Sequence, residues 1–211
     1  MFNCKSSILI LAPHVDDGEL GCGGTIARLC REGYNVHYVA FCSCDETLQA
    51  GFPPGTLREE VMRATRILGI PEGQTQVLDF PVRHLAEHRQ HILDVLVALN
   101  RMQNPDLVLC PTTQDLHQDH AVVATEAMRA FKARTILGYE MPWNNISFQA
   151  NFLVALENID VDLKVDALKE YKSQQHRSYV TERYIKAHCH ARGVTIGCEY
   201  AEAFTLYRGV L

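Results

Sequence analysis

The sequence predicts an α/β protein with a Rossmann-like, doubly wound and mostly parallel sheet, packed between helices in three layers (α/β/α). Three observations predict this fold. Short apolar runs bounded by turn residues alternate with segments of helical periodicity through the first two thirds of the chain. The 211 residues are 47% hydrophobic and 21% charged, an ordinary globular composition that can form a core. Polar residues gather where two of the apolar runs end, as at the ligand-binding edge of such sheets.

Five strands are predicted in this region, at residues 7–11, 35–42, 76–80, 106–110 and 135–139. The first contains the continuous apolar run 8–11, which is bounded by turn residues and is typical of a buried strand. The fourth follows the breaker Asn104-Pro105. Strands that alternate with helices in this way favour parallel pairing.

Helices are predicted between these strands, at residues 24–31, 57–68, 89–102 and 119–131. The second has apolar side chains on one face, at positions 57, 61, 64, 67 and 68, and Gly69 is well placed to end it. In the third helix, Ile92, Val95, Leu96 and Leu99 share one face.

The alternating pattern changes beyond Pro142. Strands are predicted there at residues 152–156 and 203–208, with helices at 162–172 and 177–192 between them. The chain contains no internal repeat and no flexible linker. We therefore expect residues 1–211 to form a single domain, with a core over about residues 1–142 and a C-terminal extension over about residues 143–211.

Charge and cysteine usage narrow the class of protein. The net charge of −5 gives no reason to expect nucleic acid as a partner, and no Lys/Arg cluster suggests a membrane surface. The first apolar run covers only about five residues, so we expect neither a signal peptide nor a membrane span, and a cytoplasmic location. Reduced thiols are then expected rather than disulfides for the cysteines at positions 4, 22, 30, 42, 44, 110, 189 and 198. The short Cys42–Cys44 and His188–His190 segments lack a second pair of ligands and are interpreted as incidental.

One polar cluster directly follows the first strand. His14, Asp16 and Asp17 come after the apolar run, and the glycine-rich segment 21–24 follows them. Two adjacent carboxylates beside an imidazole at a strand end add no stability to a sheet, because the like charges repel. A divalent cation would relieve this repulsion, so the cluster indicates a metal site.

A second polar cluster follows the fourth strand. His117 and His120 are three residues apart and face the same way if a helix begins here. Asp119 lies between them and could accept a hydrogen bond from an imidazole, which would fix its tautomer.

The predicted topology brings the two clusters together. In the common strand order 3-2-1-4-5, strands one and four are neighbours, and the loops that follow them diverge to opposite faces of the sheet. Ligands bind at this switch point. Two clusters about 100 residues apart in sequence are therefore expected to form one site.

This combination of side chains suits metal-assisted hydrolysis of an amide or ester. One carboxylate and two histidines are a common ligand set for catalytic zinc. If His14, Asp17 and His120 hold the ion, Asp16 can take a proton from the attacking water, and His117 can stabilise an oxyanion or protonate a leaving amine. Taken singly, each cluster could instead be a helix cap or solvated surface. A dinucleotide site is a weak alternative, because the segment 21–24 lacks the GxGxxG spacing.

At these residues the chain resembles the PIG-L/LmbE family of zinc-dependent N-deacetylases. That family carries a (P/A)HPDDE motif that usually continues into LGCGG, and a later HxDH motif. Here the motifs correspond to residues 13–18, 20–24 and 117–120. The likeness covers nearly the whole chain, including segments 58–60, 67–69, 138–144, 169–174 and 199–204. Val15 and Gly18 replace the motif's proline and glutamate. Neither replaced residue is a ligand or the base, so we expect the chemistry to be retained and the effects to fall on loop rigidity and metal affinity.

The resemblance implies a role for each motif residue, and an LmbE-like deacetylase domain over the whole chain. The metal ligands are His14, Asp17 and His120. Asp16 is the base, His117 is the oxyanion-stabilising acid, and Asp119 tunes that histidine. Arg58, at the start of the helix after the second strand, corresponds to an arginine that often contacts substrate in relatives.

The leading functional hypothesis is hydrolysis of an N-acetyl group from an amino sugar or a sugar-containing small molecule, with release of acetate. Alternatives are hydrolysis of another amide, such as a thiol conjugate, and a catalytically idle sugar-binding protein. The metal is zinc, or iron or another divalent ion, and the chain is a possible homo-oligomer. The presence of Asp16 favours an enzyme over a catalytically idle binding protein, because binding alone requires no general base.

Further side chains carry weaker hypotheses. Trp143 lies on the expected rim of the site and could stack on a sugar ring, although a Trp near a sheet edge more often packs against the protein. Glu199 and Glu202 could border the pocket. Three histidines at spacings of four and three are interpreted as a solvated helix face rather than a second metal patch; they are His84, His88 and His91.

Overall fold

A computed structural model describes residues 6–210 of the chain; Cys4 and the rest of the amino-terminal segment 1–5 lie outside the described residues. One mixed sheet is formed by β1 (Ser7–His14), β2 (Asn35–Cys42), β3 (Thr75–Val77), β4 (Leu107–Pro111), β5 (Thr135–Tyr139), β6 (Phe152–Leu156) and β7 (Tyr200–Arg208). The strand order is β3-β2-β1-β4-β5-β7-β6. Strands β1 to β5 pair in parallel, and β7 pairs antiparallel to both β5 and β6. The predicted fold class and the order 3-2-1-4-5 are therefore confirmed.

Helices cover both faces of this sheet. They are α1 (Asp17–Arg31), α2 (Thr56–Ile67), α3 (Arg89–Gln103), α4 (Gln118–Ala130), α5 (Asn158–Lys169) and α6 (Glu182–Val194). The central strand β1 is buried on both faces, because alternate residues join separate apolar clusters. Ile8 and Ile10 pack with α1, α2 and α5, whereas Leu9 and Leu11 pack with α3 and α4. This is the expected three-layer arrangement.

Helix α1 begins seven residues before its predicted start at residue 24, so that prediction is wrong. The glycine-rich segment 21–24 has low intrinsic helix propensity, but close packing favours helix there. A Cβ at Gly21 would lie 2.2 Å from the Tyr139 ring, and one at Gly24 would lie 2.5 Å from Leu156. The helix kinks at Cys22, where φ and ψ are −147° and 26°. These glycines therefore allow close contact between α1 and its neighbours.

A buried ion pair satisfies the backbone groups near this kink. The Glu202 carboxylate accepts hydrogen bonds from the N–H groups of Gly24 and Thr25, at 3.0 and 2.7 Å. The Lys164 ammonium lies 2.6 Å from the same carboxylate and donates to the Leu20 carbonyl at 2.8 Å. Burial alone lowers the pKa of Lys164, but the Glu202 charge outweighs it and raises that pKa above its usual range. Glu202 thus stabilises α1 by accepting hydrogen bonds from its backbone. It is not among the residues that line the cavity described below.

Lys164→Met is expected to lower the free energy of unfolding by about 3–5 kcal/mol, because it leaves the Glu202 carboxylate buried without its counter-charge. Chemical denaturation measures the change. Lys169→Met is the matched control, since the exposed Lys169 pairs with Asp166 in solvent and its loss is expected to change stability little. If both substitutions lowered the free energy of unfolding equally, the Lys164–Glu202 ion pair would not make the proposed contribution to stability.

Three C-terminal boundaries also differ from prediction, and capping explains two of them. Helix α5 begins at Asn158 rather than residue 162, because Glu157 and Asp160 form a capping box. Helix α6 begins at Glu182 rather than residue 177, with Thr181 accepting a hydrogen bond from the Tyr184 N–H. Strand β7 begins at Tyr200 rather than residue 203, because the whole of β6 pairs with it.

Strand β3 is shorter than its predicted range of 76–80. Its register with β2 covers only Tyr38 to Ala40. The following residues lose strand geometry, although the N–H groups of Leu78 and Phe80 still donate to β2 carbonyls. Strands β6 and β7 extend the same sheet as the core, while the division at residue 142 stays a prediction. No helix within residues 6–210 has the length and apolar character that a membrane crossing requires. The seven described cysteines are all free thiols.

Candidate active site and its metal-binding side chains

The two polar motifs meet at the carboxyl ends of neighbouring strands, as the topology predicted. His14 is the last residue of β1, and Asp17 is the first residue of α1. Across the switch point, His117 caps the N-terminus of α4, and His120 lies in its first turn. The short turn after β1 and the six-residue loop after β4 therefore direct these side chains to one place.

Three atoms from these motifs form a compact triangle. Asp17 Oδ2 lies 3.0 Å from His14 Nδ1 and 3.1 Å from His120 Nε2. The two imidazole nitrogens are 3.2 Å apart. Donor atoms about 2.0–2.1 Å from a tetrahedral zinc ion lie roughly 3.3 Å from one another. The three atoms are thus spaced to fit one small divalent cation.

Buried carboxylates orient both histidines from the far side. His120 Nδ1 lies 2.7 Å from Asp115 Oδ2, and His14 Nε2 lies 3.1 Å from Asp119 Oδ2. Such partners fix the ring orientation and increase the basicity of the nitrogen that faces the metal. Asp115 also accepts the His117 backbone N–H at 2.8 Å, so it secures the motif as well as the ring.

The contact expected between Asp119 and the His117 ring is corrected by the structure. The Asp119 carboxylate contacts His14 instead, and it accepts the N–H groups of Arg83 and Leu85 at 2.6 and 3.2 Å. Asp119 is the second residue of α4, so its side chain points towards the end of β1. Only its backbone N–H reaches His117, where it donates to Nδ1 at 3.2 Å.

Electrostatics at the triangle favour positive charge. Burial alone lowers the pKa of His14, but the charges of Asp17 and Asp119 outweigh it and raise that pKa to about 10. His120 behaves in the same way beside Asp17 and Asp115, with a pKa raised to about 9. Burial alone would raise the pKa of Asp17, but the two histidines hold it well below its usual range. A cation bound here takes the place of the imidazole protons.

His117 presents one free nitrogen to the site. Its Nδ1 accepts the Asp119 N–H, so in the neutral ring the proton lies on Nε2. Burial and the neighbouring charge of His120 lower the pKa of His117. Its ring stacks on His120 with centroids 4.6 Å apart. Among residues 6–210, the nitrogens of His14, His117 and His120 form the one histidine group that lies within 4.8 Å and could surround an ion.

Asp16 is the carboxylate left over beside the triangle. It is 7% exposed, and although it occupies the N-cap position of α1, its side chain makes no capping hydrogen bond. Burial and the adjacent Asp17 raise its pKa, and Arg177 opposes them. Asp16 lines the cavity together with His14, Asp17, His117 and His120.

The two departures from the family motif are accommodated by a pair of tyrosines. The hydroxyls of Tyr38 and Tyr171 contact the Val15 carbonyl and the Glu19 carboxylate at distances between 2.5 and 2.9 Å. A Cβ at Gly18 would lie only 2.4 Å from the Tyr38 ring, which explains the glycine. Burial raises the pKa of Glu19 to about 8. The two tyrosines thereby fix the loop at Val15, where the family motif has a proline that would restrict the backbone.

The cavity above the triangle has a volume of about 210 Å³. Its wall includes side chains from four further segments, namely Cys44, Arg83, Trp143, Gln174, Arg177 and Tyr179. Trp143 is on the rim as predicted, but its ring stacks on Tyr179 with centroids 4.0 Å apart and planes 9° apart. One face of the indole is thus covered by protein, and that face is closed to a sugar ring.

Arg58 is not among the residues that line the cavity, and the substrate contact expected for it stays a prediction. Its guanidinium donates to the Val77 carbonyl at 2.9 Å and to the Asp79 carboxylate at 2.5 Å. The residue lies in the first turn of α2 and ties that helix to the end of β3. In this structure the Arg58 guanidinium therefore links α2 to the segment that follows β3.

The remaining histidine and glutamate hypotheses also have clear outcomes. His84 pairs with Glu87 at 2.6 Å, and the rings of His88 and His91 contact Phe80 rather than one another. Within residues 6–210 they form no metal group. Glu199 lies away from the cavity, on a separate open depression beside β6.

The sequence interpretation missed Asp115, Gln174 and Arg177. Asp115 lies two residues before His117. A carboxylate directly before a histidine motif could have indicated a residue that orients one of the imidazoles. Gln174 and Arg177 carried no such signal. They come from turns between α5 and α6, and only the folded chain shows that these turns border the cavity.

The fold and this centre define a doubly wound α/β protein whose switch point carries a cluster of side chains that could hold a metal ion. Residues 9–131, more than half of the chain, match the family model described as GlcNAc-PI de-N-acetylase (PIG-L). The chain belongs to this family, which confirms the resemblance seen in its motifs.

Individual relatives extend the likeness over most of the chain. The uncharacterized deacetylase YaiS of Escherichia coli K12 is 31% identical over 81% of this chain and 93% of its own length. The diacetylchitobiose deacetylase of Thermococcus kodakarensis is 24% identical, covering 99% of this chain and 86% of its own. Among solved structures, the conserved protein TT1542 of Thermus thermophilus has a TM-score of 0.82 and 30% identity, over 97% of this chain and 96% of that one.

Proposed function

We propose that the protein is a metal-dependent hydrolase that removes the N-acetyl group from an amino sugar or a sugar-containing small molecule and releases acetate. The family's description and the names of the two curated relatives support N-deacetylation. The observation that carries the proposal is the geometry of the centre: three donor atoms spaced for one cation, with an uncommitted carboxylate beside them. A purely binding site has no use for that carboxylate.

We propose zinc as the ion, held by His14, Asp17 and His120, with iron or another divalent ion as the alternative. This donor set suits zinc, which binds imidazole and carboxylate in catalytic sites and keeps one position open. A divalent cation there supplies positive charge that polarises the acyl carbonyl and makes water more acidic. The spacing of the three donor atoms supports this assignment.

The protein side chains supply the proton transfers. Asp16 accepts the proton of the attacking water, since its carboxylate faces the cavity and is free of the helix cap. His117 donates a hydrogen bond from Nε2 to the developing oxyanion. The proton that Asp16 has accepted from water passes to the leaving amine, a transfer that His117 assists through this hydrogen bond. Asp119 and Asp115 position the ligand imidazoles. The substrate is a small molecule, and we propose a cytoplasmic enzyme without a nucleic-acid partner.

An acetate-release screen tests this function. Zinc-loaded protein is incubated with N-acetylglucosamine, N,N'-diacetylchitobiose and N-acetylated thiol conjugates, and acetate and free amine are both quantified. We expect equal amounts of both from the sugars. Turnover of the thiol conjugates alone would favour the alternative amide hydrolase. Sugar binding without any acetate release would favour the idle binding protein.

Asp115→Asn is expected to weaken metal binding about 10- to 100-fold, because the amide no longer holds the His120 ring as a carboxylate does. Competition with a chromogenic chelator measures the affinity directly. Asp106→Asn is a matched control, since the Asp106 carboxylate accepts the Ser7 N–H at 2.9 Å, away from the centre. Unchanged metal affinity in Asp115→Asn would remove Asp115 from the group of residues that support the ion.

A further inference from the structure

A residue of the cavity wall outside the metal-binding triangle has a buried side-chain oxygen that makes no hydrogen bond. Gln174 lines the cavity and is only 4% exposed. Its Oε1 is one of the few buried side-chain atoms in residues 6–210 that make no hydrogen bond. Buried polar atoms are nearly always paired, so an orphaned acceptor on a cavity wall indicates a missing donor.

A hydrogen-bond chain fixes which end of the Gln174 amide is free. The buried Glu60 carboxylate accepts both the backbone N–H and the hydroxyl of Ser173, at 3.0 and 2.6 Å. Since the single hydroxyl hydrogen of Ser173 is committed to Glu60, its Oγ can only accept. Gln174 Nε2 donates to that Oγ at 3.1 Å. The amide is thus held with Oε1 as the unsatisfied end, and the free group is an acceptor.

A hydrogen-bond donor borders the same wall. The Arg177 N–H donates to the Gln174 carbonyl at 3.0 Å, so one turn carries both side chains. The half-buried Arg177 guanidinium lines the cavity and donates one hydrogen bond, to the Tyr179 hydroxyl at 2.5 Å. A guanidinium carries five N–H donors, which leaves others for a ligand. One turn of the wall therefore contributes a residue with a free acceptor and a residue with free donors.

We propose that Gln174 and Arg177 form the subsite that recognises the ring hydroxyls of the substrate. One hydroxyl donates to Gln174 Oε1, and a neighbouring ring oxygen accepts from Arg177. Neighbouring hydroxyls on a sugar ring supply both kinds of group, whereas a substrate that is apolar outside its scissile amide has neither to offer at this wall. This inference rests on the proposed function and names the polyhydroxylated part of the substrate as what the enzyme selects.

Gln174→Leu tests the subsite, with Gln175→Leu as the matched control. The neighbouring Gln175 side chain donates to the Leu168 and Tyr171 carbonyls and does not line the cavity. Binding of N-acetylglucosamine to the zinc-loaded proteins is measured by calorimetry, and acetate release gives kcat and KM. We expect Gln174→Leu to weaken binding and raise KM about 10- to 100-fold. Zinc content and thermal unfolding of this variant are expected to match those of the wild type or exceed them, because an unpaired buried acceptor is removed.

Deoxy sugars locate the interaction. The 3-, 4- and 6-deoxy analogues of N-acetylglucosamine are compared in the wild type and in Gln174→Leu. One analogue is expected to bind the wild type about 10- to 100-fold more weakly than the parent sugar, and to bind Gln174→Leu as well as the parent does. In Gln174→Leu the difference in affinity between that analogue and the parent sugar would then disappear. A purely structural role for Gln174 would not produce this result.

Several results would contradict the assignment of this subsite to Gln174 and Arg177. Gln174→Leu could bind the sugar as Gln175→Leu does, which would mean that water alone pairs with Oε1. The same analogue could be rejected equally by both proteins, or the wild type could bind none of these sugars. The proposed function is tested separately: sugar binding that depends on Gln174 without acetate release would contradict the deacetylase and keep the subsite, whereas undiminished acetate release by Gln174→Leu would do the opposite.

Discussion

Asp16→Asn is expected to lower kcat about 10²- to 10⁴-fold, because the substitution removes the group that accepts the proton of the attacking water. The amide has nearly the same shape as the carboxylate, so packing around it changes little. Asp16 makes no helix-capping hydrogen bond whose loss would disturb α1. Metal content is expected to stay at the wild-type level, since Asp17, not Asp16, lies within 3.1 Å of both histidines. Acetate release and elemental analysis on one preparation measure both quantities.

Two outcomes would change this interpretation of Asp16. Unchanged turnover would show that another group accepts the proton. Loss of the metal together with turnover would place Asp16 among the ligands. Gln114→Leu serves as a control for general effects near the site, since Gln114 contacts Ser147 outside the cavity and is expected to retain full kcat.

The fold was predictable because its signals are local. The continuous apolar run of β1 and the breaker before β4 mark buried strands without reference to the rest of the chain. Connection rules then order the strands, and that order alone brings His14 within 3.2 Å of His120 across 106 positions of sequence. The meeting of the two motifs was thus a consequence of topology, which short-range patterns determine.

The start of α1 was not predictable from the same signals. Glycines at 21 and 24 indicate a loop by propensity, yet they lie in helix because Tyr139 and Leu156 press against them. Those contacts come from β5 and β6, more than 100 residues away. Tertiary packing overrode local preference here, and a single sequence contains no pattern that reports it.

The same limit applies to the supporting residues of the centre. Asp119 was expected to act on His117, its neighbour in sequence, but its carboxylate contacts His14 on another element. Gln174 depends on Glu60, which is 113 positions from the intervening Ser173. The identities of the ligand residues follow from chemistry and spacing. The identities of the residues that orient them depend on where side chains point after packing.

Asp17→Asn, at the adjacent position, is expected to have the opposite effect on the metal. The neutral amide cannot balance the charge of a cation between His14 and His120, whose nitrogens both lie about 3 Å from the Asp17 carboxylate. The protein is expected to be purified with little metal. Turnover should fall at least about 10³-fold, to the level of the metal-free wild type. This corresponds to a loss of several kcal/mol of transition-state stabilisation.

Comparing the two Asp→Asn proteins separates binding of the ion from proton transfer. Both substitutions exchange the same groups at neighbouring positions, so differences in metal content reflect geometry rather than chemistry of the side chain. Excess zinc is expected to restore the chelator-treated wild type fully, and to restore neither variant. If Asp17→Asn kept stoichiometric metal and high turnover, the His14–Asp17–His120 assignment would be wrong, and His117, whose ring nitrogens lie within 4.8 Å of the other histidines, would be the next candidate ligand.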